Sequence, residues 1–196
     1  MSELIETYTC QQKCCKIEVT NTSTQKNLHR IRRGQCRKAG VFIYDPEKNS
    51  VLLVQSRGQL WGMPKGTLEI DKNENSYECA VREVKEETGI DISAKDFSRA
   101  TKVKNRAVYY YAEIKSAEIH IQRNAADTAE EYAEKNDANG ITWIKIPCLY
   151  DCVKTGQIVL NQHCLIVFKR FLNIIFPSVE FTRVEHKKRR SRIEKK

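Results

Sequence analysis

Residues 82–90 read Arg-Glu-Val-Lys-Glu-Glu-Thr-Gly-Ile, and no other stretch constrains the chain as strongly. The spacing predicts a helix over Ser76–Thr88, with Asn75 or Ser76 as its N-cap and Gly89 where it stops. On that helix Glu83, Glu86 and Glu87 stand at i, i+3 and i+4, so three carboxylates share one face. Like charges at this spacing cost about 0.2–0.5 kcal/mol per pair, and the negative end of the helix dipole adds to the cost at Glu86 and Glu87. A helix that serves only packing gains nothing from this. A hard divalent cation reverses the sign, because clustered carboxylate oxygens are what Mg²⁺ or Mn²⁺ takes. The bland reading is a solvated Glu/Lys face, which most charge runs are.

The setting decides between the two. Arg82-Glu83-x-x-Glu86-Glu87-x-Gly89-Ile90, with Glu74 eight residues before Arg82 and Gly66 upstream, resembles the Nudix box, G-x5-E-x7-R-E-U-x-E-E-x-G-U with U a bulky aliphatic residue. Every fixed position from Glu74 onward matches. Seven residues rather than five separate Gly66 from Glu74, which lengthens a loop where insertions are cheap and leaves the helix chemistry intact. The resemblance implies an α+β Nudix fold, a mixed β-sheet sandwiched between α-helices. It implies Glu83, Glu86, Glu87 and the Gly66 carbonyl as ligands of Mg²⁺ or Mn²⁺, with Arg82 bracing the catalytic Glu83 and Glu86. Glu74 is then structural.

The domain is expected over residues 38–176. Residues 38–44 and 50–55 are apolar and β-branched, with a turn signal at Asp45-Pro46, and predict a hairpin. Residues 57–66 hold three glycines and a proline and read as a loop. Its WGMPKG resembles the WGFPKG of messenger-RNA decapping enzymes, and PPKG occurs in diadenosine tetraphosphate hydrolases. Lys65 is therefore expected to bind substrate, with Trp61 either packing in the core or stacking on a methylated base. On the helix, Tyr77, Ala80, Val81 and Val84 are expected to face the core, and Glu78 to pair with Arg82. Residues 95–103 and 106–114 predict two antiparallel strands, with Tyr109 and Tyr111 on one face and Tyr110 on the other. An aromatic stripe is more often core than a base platform.

Residues 127–137 are acidic and precede a strand at 140–146. Decapping-type domains carry an acidic loop residue about six before such a tryptophan, which here is Asp137. Glu131, with Glu130 and Glu134, is the alternative general base or ligand. Residues 147–154 predict a short helix and 160–176 a longer one, with Leu165, Phe168, Leu172 and Ile175 on one face and Pro177 at its end.

The chain carries a net charge of +9, unevenly spread. Residues 182–196 hold eight Lys/Arg against two Glu, and residues 25–38 hold six basic side chains and no acid. Both runs suit a polyanion larger than one nucleotide. Arg32, Arg33, Lys187, Lys188, Arg189 and Arg190 are the candidate RNA contacts, and each run is as readily a solvated extension. Residues 1–37 form a basic, cysteine-containing extension and 177–196 a basic tail. Cys10, Cys14, Cys15, His29 and Cys36 are candidate zinc ligands, in an order unlike the standard paired knuckle, and free thiols are the simpler expectation. Polar first residues and the lack of a long apolar run predict no signal peptide, no membrane span, and a cytoplasmic or nuclear chain.

Hydrolysis of a phosphoanhydride in a nucleoside diphosphate derivative follows from the resemblance. The leading expectation is a compact or viral-type decapping enzyme that releases 7-methyl-GDP and 5′-monophosphate RNA. The alternatives are a Nudix hydrolase of diadenosine polyphosphates, diphosphoinositol polyphosphates or nucleoside triphosphates, and a non-catalytic RNA-binding module.

Overall fold

Apolar side chains that alternate along the central strands demand cover on both faces of a sheet. The computed structural model describes residues 4–21, 37–56, 60–116 and 140–177, and supplies that cover. Among the described residues, strand β1 (Leu4–Thr9) pairs with β2 (Lys16–Asn21) as a separate two-stranded sheet. The main sheet holds β3 (Lys38–Asp45), β4 (Ser50–Ser56), β5 (Leu60–Gly62), β6 (Lys65–Thr67), β7 (Phe97–Val103), β8 (Ala107–Glu113), β9 (Gly140–Lys145) and β10 (Val159–Leu160). Its order is β10-β5-β4-β3-β8-β7, with β6 also on β3 and β9 also on β4. Strand β3 runs parallel to β8 and antiparallel to β4, so the sheet is mixed.

Helix α1 (Ser76–Thr88) covers one face. Val41, Ile43, Leu52, Val108, Tyr110 and Ala112 meet Cys79, Ala80 and Val84 there. Helices α2 (Ile146–Lys154) and α3 (Gln162–Leu172) cover the other, where Phe42, Leu53, Tyr109 and Tyr111 meet Leu149, Val167, Phe168 and Phe171. The period-two reading of the three tyrosines is thus correct, and all three are core. Among the described residues, no helix is long and apolar enough to cross a membrane.

Three local expectations need correction. Helix α3 stops at Leu172, because Asn173 takes φ 56° and caps it, four residues before Pro177. Its buried face is Cys164, Val167, Phe168 and Phe171, while Ile175 lies beyond the helix and is exposed. On α1, Tyr77 is half exposed and stacks on Tyr110 at 4.5 Å instead of entering the core. Within residues 1–37, Ile17 of β2 is fully buried in the same core as α2 and α3.

Candidate active site

The carboxylate helix begins as its sequence dictates. The Asn75 side chain accepts from the backbone N–H groups of Tyr77 and Glu78, and the Glu78 carboxylate accepts from Asn75 N–H at 2.9 Å. Glu78 is thereby committed to the cap and does not pair with Arg82. At the far end Gly89 takes φ 73°, a left-handed conformation that a side chain resists, and its N–H closes on the Lys85 carbonyl.

Arg82 instead gathers the acids. Its Nε and Nη2 donate to the two oxygens of Glu74 at 2.7 and 3.1 Å. Its Nη1 donates to Glu83 Oε1 at 2.9 Å and to Glu86 Oε2 at 2.8 Å. Nη2 also donates to the Thr67 carbonyl at 3.1 Å, tying the guanidinium to β6. This planar fork is a task that Lys cannot perform. The Glu74 hydrogen bonds raise the Arg82 pKa, so it remains a fixed cation.

Strand β6 meets the same face. The Lys65 backbone N–H donates to Glu87 Oε2 at 2.8 Å. Gly66 lies so close to Glu83 that a Cβ there would stand 1.8–2.0 Å from its carboxylate atoms. The two extra residues before Glu74 are absorbed by a 3₁₀ turn over Ile70–Lys72, closed by Asn73 at φ 56°. Glu74 then accepts from the Glu69 backbone N–H at 2.8 Å. Gly66 therefore stays against the carboxylates despite the longer loop. Its carbonyl also lies 4.0 Å from the Cys79 thiol, which burial pushes up to about 12 and so keeps protonated.

Electrostatics separate the acids. Burial raises the Glu83 pKa, and Arg82 opposes that rise. Glu86 is open, with its side chain half exposed. The Lys65 side chain has its pKa lowered by burial, with Glu87 pulling the other way. His163 lies near Lys65, and its Nδ1 is 3.0 Å from the Tyr109 hydroxyl. Burial and then the Lys65 charge lower the His163 pKa, which leaves a neutral imidazole at neutral pH. Sequence reasoning missed this pair, because no spacing rule links positions 109 and 163.

Glu74 carries a prediction of its own. Hydrogen bonding to Arg82 is the largest influence on its pKa and holds it below the usual carboxylate range. A depressed carboxylate contributes stability above the unfolded pKa and loses it as pH falls through the folded pKa. Glu74→Gln is expected to destabilise the fold by about 1.5–3 kcal/mol at pH 7, as for a charged hydrogen bond. Urea unfolding at pH 7 and again near pH 3 checks this: the gap from wild type should shrink in acid. An equal gap at both values would place the cost elsewhere.

Of the two expectations for Trp61, the structure has the packing one, a ring in the core. It is 1% exposed, in the core between β4 and β10, because β5 is an interior strand of the sheet. Asp137, Glu130, Glu131 and Glu134 lie outside the described residues, as do Arg32, Arg33, Lys187, Lys188, Arg189 and Arg190.

The comparisons agree with this geometry. The NUDIX domain family model matches residues 34–147, more than half of the chain. "Putative hydrolase 111R" of Invertebrate iridescent virus 3 is 29% identical over 167 residues, which is 83% of this chain and 92% of that protein. The mRNA decapping complex subunit 2 of Schizosaccharomyces pombe is 57% identical over 58 residues, 29% of this chain but only 8% of its own length. Among solved structures, a bifunctional NMN adenylyltransferase/ADP ribose pyrophosphatase from Francisella tularensis aligns with a TM-score of 0.50 at 18% identity, over 74% of this chain and 42% of that one. With the box helix, its bracing arginine and the covered mixed sheet in place, the chain belongs to the NUDIX family and is a Nudix pyrophosphohydrolase.

Proposed function

We propose that this Nudix hydrolase removes the 5′ cap from messenger RNA, cleaving a phosphoanhydride to release 7-methyl-GDP and 5′-monophosphate RNA. The observation that carries the reading is the 57% identity over 58 residues to a decapping subunit. The shorter match to the Caenorhabditis elegans m7GpppN-mRNA hydrolase, 46% over 55 residues, supports it. The chain spans under a tenth of either protein, so their whole activity is not carried over with the match.

Family members generally use divalent cations, and the residues here suit one. The donors are hard oxygens, and Gly66 leaves open the space beside Glu83 that a Cβ would fill. Glu83, Glu86 and Glu87 would hold the ion. When bound, Mg²⁺ or Mn²⁺ neutralises phosphate charge and lowers the pKa of water. The chain's own part is orientation and proton transfer. Arg82 holds Glu83 and Glu86 in register, and the Lys65 N–H holds Glu87. Glu86 is open to solvent, and in this reading it would take a proton from the attacking water. Asp137 or Glu131 remains the alternative base. The Lys65 ammonium would meet the anionic phosphates. Tyr77 lines a cleft of about 550 Å³ with Arg82 and Glu86, and its exposed face offers a surface for a base.

A second reading, hydrolysis of a small nucleotide or diphosphoinositol substrate, is favoured by the burial of Trp61 and of Tyr109–Tyr111, which removes four candidate cap-stacking rings. Turnover of cap-labelled RNA with Mg²⁺ or Mn²⁺, run beside diadenosine tetraphosphate and a diphosphoinositol polyphosphate, separates the two, with Glu86→Gln as control. Labelled 7-methyl-GDP from wild type and not from the control is the expected result. Cleavage of a small molecule with capped RNA untouched would replace decapping by the second reading.

A further inference from the structure

The turn between β1 and β2 brings three cysteines to one place. Cys10 N–H donates to the Cys15 carbonyl at 3.0 Å, and Lys13 N–H to the Cys10 carbonyl at 2.8 Å, with Lys13 at φ 55°. This tight loop turns the Cys15 N–H onto Cys10 Sγ at 3.3 Å, an amide-to-sulfur bond that suits a thiolate. A fourth sulfur arrives from 134 residues after Cys14: Cys148, in the first turn of α2, has its Sγ 3.3 Å from Cys14 Sγ. Cys14 Sγ is also 3.6 Å from Cys10 Sγ and 3.8 Å from Cys15 Sγ. All four sulfurs lie within 4.8 Å of one another.

We infer that Cys10, Cys14, Cys15 and Cys148 form a structural Zn²⁺ site that fastens the β1–β2 hairpin to helix α2. Zn–S bonds of about 2.3 Å in a tetrahedron put neighbouring sulfurs about 3.8 Å apart, near the separations present here. A disulfide would need sulfurs at about 2.05 Å and would join only two of the four. Four thiolates and no open position mark a closed, structural site. Soft sulfur donors select zinc over the hard cation expected at the carboxylates. The positive end of α2 favours anionic sulfur at Cys148, and Lys13 and Lys16, which flank Cys14 and Cys15, with Lys145 three residues before Cys148, offset the charge.

The fold gives such a clamp a purpose. A two-stranded hairpin is marginal alone, and among the described residues β1–β2 shares no strand pairing with the main sheet. Ile17 and the buried Cys10 and Cys15 join the core cluster, and Tyr8 packs against it. The ligand set differs from the one expected from sequence order, because Cys148 is distant in the chain; Cys36 and His29 lie outside the described residues.

Elemental analysis of the full chain, purified without chelator, tests the site. One zinc per chain is expected, with loss of most of it in Cys148→Ser and retention in Cys152→Ser, a buried cysteine one turn along α2 that is outside the cluster. A zinc-selective chelator should lower the Tm. Should Cys148→Ser not fold, Co²⁺ substitution of the wild-type chain decides the question by the intense visible bands and thiolate charge-transfer absorption of a tetrahedral thiolate site. A chain that purifies metal-free and takes up neither ion overturns the inference, as does iron in place of zinc, a mass showing a disulfide among these cysteines, or zinc kept equally by both variants.

Discussion

Glu86→Gln is expected to lower kcat on the order of 10³-fold against whichever phosphoanhydride the enzyme turns over, because removing a carboxylate that holds the cation forfeits several kcal/mol of charge stabilisation. Little stability should be lost. Glu86 is half exposed, and Arg82 keeps its bonds to Glu74 and Glu83 when Glu86 goes. The amide is nearly the same size and still offers an oxygen to Arg82. Steady-state kinetics with saturating Mg²⁺ and a thermal melt of the same preparation check both halves. A melt unchanged with kcat intact would remove Glu86 from the chemistry. A fall in kcat matched by a large fall in Tm would make its role one of folding.

Gly66→Ala is expected to be nearly as severe for a different reason. Its Cβ would lie 1.8–2.0 Å from the Glu83 carboxylate, closer than any non-bonded contact allows. Either β6 withdraws from β3, to which it pairs at Ala39↔Gly66, or Glu83 rotates away from Arg82. The first option costs about 1–3 kcal/mol, the usual penalty of overpacking. The second displaces a cation ligand, and a misplacement of about 1 Å at a reacting centre can cost on the order of 10²-fold in rate. Together they predict a drop in kcat of at least that size with a modest loss of stability. Weaker Mn²⁺ binding by titration would show that the carboxylate moved. Wild-type kinetics and wild-type Mn²⁺ affinity in Gly66→Ala would mean that Glu83 is not held against β6 as described.

Much of this site was legible in the chain because its information is local. Helix period alone puts Glu83, Glu86 and Glu87 on one face, and Asn75 and Gly89 end the helix by backbone rules that act over a few residues. Alternation along residues 107–113 likewise separates Tyr109 and Tyr111 from Tyr110. The strand pairs 38–45 with 50–56 and 97–103 with 107–113 are joined by short turns, so neighbours in sequence are neighbours in space.

Errors arose where the partner comes from far away. Trp61 looked available in a glycine-rich loop, yet β10 pairs beside β5 and closes over it. Glu78 looked like a partner for Arg82 until the cap claimed it and Glu74 displaced it. Tyr77 follows the core period of α1, but it stands half exposed and stacks on the rings of Tyr110 in β8 and Phe97 at the start of β7.

Rules that act over a few residues therefore specify the carboxylate helix, its caps and the inside and outside of the strands, and the box they spell out marks a metal-using hydrolase family. Long-range packing brings Glu74, Glu83, Glu86 and the Thr67 carbonyl to one guanidinium, sets Gly66 against Glu83, and joins Cys148 to Cys10, Cys14 and Cys15. The physical reason is range. Backbone hydrogen bonds and side-chain period act within a turn or a strand, whereas these contacts depend on how a sheet and three helices pack, and that is set by burial summed over the whole chain.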